Sequence, residues 1–126
     1  MSDFGLAEEV RQFLAANIAS VEQLEVLLLL RAGQDTAWTL HEIYQRVMTN
    51  VSSIEQSLDK LCGHGLVEQG GEGKYRFSAS PDVERVLEQV ATAYKEMPTR
   101  ILSALYGTPS SELQTFADAF KIRKPQ

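Results

Sequence analysis

Leu6, Val10, Phe13, Leu14 and Ile18 recur at helical spacing. One apolar stripe therefore runs down the segment from Asp3 to Asn17, with Glu8, Glu9 and Arg11 on the other side. Ser20 and Gln23 head the next apolar run at the spacing of a capping box, in which hydroxyl and amide satisfy free backbone N–H groups. The helix predicted behind them spans Val21–Ala32 and stops at Gly33. Leu24 and the unbroken run Val26–Leu30 leave it little polar surface, which marks a buried central helix.

Thr36–Trp38 reads as a short extended piece, with Trp38 plugging the corner between strand and helix. Thr39 and Glu42 repeat the capping-box spacing and open a helix over Leu40–Met48, with Leu40, Ile43, Tyr44 and Val47 inward. After the turn Thr49-Asn50, a further helix runs to about Cys62 with Val51, Ile54, Leu58 and Leu61 inward. Its cap is either Ser52 with Glu55 or Asn50, and Gly63 and Gly65 end it. Leu66–Gln69 and Lys74–Ser78 are short strands around Gly70–Gly73, whose glycines permit positive φ. Tyr75 and Phe77 share one face of the second strand, and Lys74 and Arg76 the other.

Ser80 caps a long helix with Pro81 at its first position. Val83, Leu87, Val90, Tyr94, Met97 and Ile101 then alternate spacings of four and three, a coiled-coil-like seam that Pro98 must kink or split. Gly107-Thr108-Pro109 ends it, and a last helix over Ser111–Ile122 carries Leu113, Phe116, Ala117 and Phe120 on one face. Three regions follow: an N-terminal helix (1–19), a central unit (20–79) and C-terminal helices (80–126). A chain this short struggles to cover both terminal stripes alone. The pattern therefore predicts a homodimer, with Leu6, Val10, Phe13, Val83, Leu87, Val90, Tyr94 and Ile101 at the interface.

Composition narrows the picture. The chain has 126 residues, 44% of them apolar, which suits one globular domain. Its formal net charge of −5 argues against non-specific coating of nucleic acid or anionic lipid. The start MSDFGLAEEV has no basic stretch before an apolar run, and Val26–Leu30 is far shorter than the ~20 residues of a membrane span. With a single cysteine, Cys62, there is no internal disulfide and no multi-cysteine zinc site, and a reducing, cytoplasmic setting is expected. Cys62 and His64, with His41 elsewhere, fall short of the three or four convergent ligands zinc needs, so neither metal nor cofactor is expected. Cys62 also lies at a helix C-terminus, whose dipole disfavours a thiolate. Gly70–Gly73 lacks the following helix and Lys-Ser/Thr of a phosphate loop, and the histidines support no triad, so catalysis is not expected. Lys121, Arg123 and Lys124 make a basic tail that either complements the last helix's dipole or adds a phosphate contact.

Between Ser20 and Ser78 the order helix, short strand, helix, tight turn, helix, hairpin resembles a winged helix-turn-helix. The stretch Ser53–Val67 ends a helix in leucine, passes a few polar residues and enters the hairpin through Gly65-Leu66-Val67. It is similar to the junction of recognition helix and wing in the MarR family. That resemblance implies a mostly helical α+β winged helix-turn-helix with a small β-hairpin wing, flanking helices that dimerise, and a DNA-binding transcriptional regulator. Ser52, Ser53, Gln56 and Lys60 form the stripe opposite the apolar one and would face double-stranded DNA. Gln pairs bidentately with adenine, Ser meets phosphate or base, and Lys meets guanine or phosphate. Lys74 and Arg76 would anchor phosphates, while Glu55 and Asp59 lie on the flank. Across Thr36–Ser78, however, Arg46, Lys60, Lys74 and Arg76 are outnumbered by Glu42, Glu55, Asp59, Glu68 and Glu72. That balance carries the alternative, a winged-helix protein–protein interaction module that does not bind DNA.

Overall fold

The computed structural model describes residues 6–105. The expected start of the first helix near Asp3, the stop at Gly107-Thr108-Pro109, the helix over Ser111–Ile122 and the basic tail lie outside the described residues. Among the described residues, six α-helices and one hairpin follow in chain order: α1 (Glu8–Asn17), α2 (Val21–Ala32), α3 (Leu40–Val47), α4 (Val51–Gly63), β1 (Val67–Gln69), β2 (Tyr75–Phe77), α5 (Pro81–Glu96) and α6 (Pro98–Leu105).

Local chemistry sets most of these boundaries. The Ser20 hydroxyl accepts from the Gln23 N–H, but the Gln23 amide reaches one residue further back than a capping box requires, to the N–H of Ala19. The same amide donates to the Asn17 carbonyl, so this buried glutamine fastens the corner between α1 and α2. At α3 the capping box is complete: Thr39 accepts from the Glu42 N–H and Glu42 accepts from the Thr39 N–H. α4 is capped by Asn50, whose side chain accepts from the Ser53 N–H, and not by Ser52. Ser80 caps α5 with Pro81 in its first turn. Pro98 splits the long helix: α5 ends at Glu96, Met97 leaves helical geometry, and Pro98 opens α6.

α2 is the hub. It packs on α3, α4 and β2, and Leu24, Val26, Leu27 and Leu30 are all fully buried. β1 and β2 pair antiparallel with Val67 opposite Phe77, Glu68 opposite Arg76 and Gln69 opposite Tyr75. Trp38 adds a third, single-residue strand: its N–H and carbonyl each bond to Tyr75 at 2.7 Å. The Trp38 ring lies against Gly33, where a Cβ would stand 3.0 Å from it, so any larger residue there crowds the ring. In the wing tip the positive φ angles belong to Gly73 and to a non-glycine, Glu72 at 64°, rather than to all the glycines of the turn.

Two expectations about packing change. Val51, read as inward, is 43% exposed, and Ser57 takes the buried place beside Ile54, Leu58 and Leu61. Val51 is the first residue of its helix, and a helical side chain leans toward the N-terminus, here past the edge of the core. The second change concerns the terminal stripes. α1 packs on α5 and α6, so Leu6, Val10, Phe13, Leu87, Val90 and Ile101 are buried within a single chain, while Val83 and Tyr94 are half-buried. The stripes cover one another, so a second copy is not needed to hide them.

Candidate nucleic-acid interface

α3, the turn Met48–Asn50 and α4 form the helix-turn-helix, and the hairpin stands beside α4 as a wing. Met48 makes the turn by adopting left-handed backbone (φ 59°, ψ 38°) while its N–H still bonds to the Tyr44 carbonyl. On the outer face of α4, Ser52, Glu55, Gln56, Asp59 and Lys60 are exposed.

Ser53 stands apart from the stripe expected for it. It is half-buried, and its hydroxyl donates to a carboxylate oxygen of Glu22, in the first turn of α2. Thr49 donates to the other oxygen of the same carboxylate, and Ser57 adds a longer bond of 3.4 Å. Glu22 thus gathers three hydroxyls spaced four residues apart, one from the turn and two from α4. The signal is visible in the sequence only after the fact: a hydroxyl stripe at 49, 53 and 57 borders the apolar stripe at 54, 58 and 61, and Glu22 lies in the first turn of a mostly apolar helix. These bonds tie the turn and α4 to the start of α2.

In the wing, Arg76 is exposed opposite Glu68, and Lys74 lies 3.7 Å from Glu72. Both wing cations therefore have acidic neighbours. The Glu42 carboxyl is held below its ordinary range, first by the Thr39 N–H it accepts from, with Lys74 among the smaller contributors. Arg46 stacks over Trp38 with its guanidinium 5.2 Å from the ring centre. Among the described residues Arg46, Lys60 and Arg76 stand in no ion pair. The structure thus brings Ser52, Gln56 and Lys60 onto one exposed helix face, sets Lys74 and Arg76 on the adjoining hairpin, and turns Ser53 inward.

Two side-chain contacts join α2 to α5. Arg31 at the end of α2 donates to both carboxylate oxygens of Glu84, with the shortest contact 2.9 Å. The Tyr94 hydroxyl donates to Glu25 at 2.7 Å, and its pKa is pushed up to about 12, first by burial and then by that carboxylate. Cys62 is half-buried, and burial followed by the Asp59 charge pushes its thiol up, away from the reactive thiolate. No group of three His, Cys, Asp or Glu side chains suited to a metal ion occurs among the described residues. No single described helix is long and apolar enough to cross a membrane.

No protein-family model matches the chain, and no curated protein matches its sequence. Solved structures do. The reduced form of MarR from E. coli aligns with a TM-score of 0.51 and 17% identity, covering 92% of this chain and 82% of that one. MepR, a transcription regulator of the Staphylococcus aureus multidrug efflux pump MepA, aligns at 0.53 and 18%, covering 91% and 85%. This chain has the fold of the MarR-type winged helix. A MepR variant from S. aureus, in a structure bound to an oligodeoxyribonucleotide, aligns at 0.54 and 18%, covering 91% and 85%. At this identity the likeness is one of fold. Within the MarR-type fold, α3 and α4 are the helix-turn-helix and the β1–β2 hairpin is the wing.

Proposed function

We propose that this chain is a DNA-binding transcriptional regulator that acts as a homodimer. In this reading α4 enters the major groove and the wing lies along the adjacent phosphates. The observation that carries it is the outer face of α4, where Ser52, Gln56 and Lys60 stand together and exposed at the end of a clamped helix. The MepR structure holding an oligodeoxyribonucleotide on a similar scaffold supports the same reading. Gln56 reads a base edge, and Lys60, Lys74 and Arg76 neutralise phosphates. Glu55 and Asp59 penalise placements that bring them against the backbone, which lowers non-specific affinity.

The test is affinity for mixed-sequence duplex DNA as a function of salt. Three neutralised phosphates per chain give a log–log slope of about −3, and Arg76→Ala reduces it by about 1 per chain. No binding at low salt overturns the reading and leaves the protein-interaction module in its place. Sedimentation showing only monomer at micromolar concentration overturns the homodimer.

A further inference from the structure

Met48 is 72% exposed and Val51 is 43% exposed, the exposed large hydrophobic side chains among the described residues. They lie three residues apart, at the turn and at the first position of α4. Two features make this more than ordinary surface scatter. Polar side chains of the same segment are already engaged: Thr49 and Ser53 give their hydroxyls to Glu22, and Asn50 is occupied in capping. Met48 also holds left-handed backbone, where glycine or asparagine is the unstrained choice, and such strain concentrates where a side chain serves a contact. The segment thus has its polar side chains Thr49, Asn50 and Ser53 engaged within the chain and presents two apolar tips to solvent beside Ser52.

We propose that Met48 and Val51 read thymine. The inference rests on the DNA-binding reading above. The N-terminal residues of a recognition helix are the ones that reach base edges, and the thymine C5-methyl is the apolar feature of the major groove. Val51 packs its isopropyl group on one methyl. Met48, long and unbranched, follows a second across the turn. Gln56, one helical turn beyond Ser52, adds hydrogen bonds to an adenine edge. The surface as a whole selects A·T pairs, chosen by methyl contact at the helix start and by hydrogen bonding further along.

The test separates the methyl group from everything else on the duplex. Duplexes that the full chain retains from a random-sequence pool are remade with deoxyuridine in place of thymidine. This leaves phosphates and Watson–Crick edges in place and removes only the C5-methyl. Burial of each methyl corresponds to about fourfold in affinity, so the pair gives a loss of about 15-fold per chain. Val51→Ala and Met48→Ala bind the thymidine duplex more weakly and lose most of the difference between the two duplexes. Both positions are exposed, so these variants fold, which the unchanged far-ultraviolet circular dichroism verifies. A difference below threefold between thymidine and deoxyuridine duplexes, with binding otherwise intact, overturns thymine reading and leaves DNA binding standing. An undiminished difference in both variants overturns it too. Absence of binding to either duplex at low salt overturns both readings together.

Discussion

Replacing Glu22 with alanine removes the acceptor that holds Thr49, Ser53 and Ser57 against α2. The three bonds are not equal. Thr49 is exposed, so water takes over most of its bond. The Ser57 bond is long at 3.4 Å, and a helical serine can turn to its own preceding carbonyl. Ser53 is half-buried and donates to a charge, which makes it the main contributor. A hydrogen bond to a charged group contributes about 1.5 kcal/mol at the lower end of its range, and loss of an acid from a helix's first turn adds about 0.5 kcal/mol. Glu22→Ala therefore costs about 2 kcal/mol, a fall of about 1 M in the urea midpoint at an ordinary m-value. The assay is a double-mutant cycle by urea denaturation with Ser53→Ala. A coupling near 1 kcal/mol is expected between residues sharing one hydrogen bond. If the two substitutions add to within about 0.3 kcal/mol, the clamp carries no energy and α4 is held by its apolar face alone.

Gly33→Ala places a Cβ 3.0 Å from the Trp38 ring, so it costs about 1–3 kcal/mol as an overpacked contact. The only tryptophan in the chain reports it directly as an emission shift, and unchanged emission with unchanged stability contradicts the contact. Tyr94 has a folded-state pKa of about 12 against an ordinary 10, so the folded protein holds this proton more tightly than the unfolded chain. Its stabilisation is fully present below pH 10 and is lost as pH rises through 12. Ultraviolet titration is expected to show a late phenolate that Tyr94→Phe deletes, and titration of every tyrosine near 10 refutes it.

Local signals carry far in this chain. Ser20, Thr39, Asn50 and Ser80-Pro81 each start a helix because a cap bonds only to backbone two or three residues away. The hairpin follows from alternation in Tyr75-Arg76-Phe77 and a glycine-rich turn. The exposed positions Ser52, Gln56 and Lys60 follow from helical periodicity alone.

Border positions were the tertiary structure's to decide. Val51, Ser53 and Ser57 all flank the apolar stripe of α4, and periodicity cannot rank them. Ser53 and Ser57 turn inward because Glu22, 31 and 35 residues earlier, stands where their hydroxyls point. Val51 turns outward because the core ends before the first turn of its helix. Trp38 finds Tyr75, and Arg31 finds Glu84, only once the helices have packed. The same holds for the terminal stripes. Their apolar spacing is written in the sequence, but whether each is covered by the same chain depends on where α1 lies, and it lies on α5 and α6. A periodicity states that a face must be buried; the identity of what buries it is a long-range property of the fold.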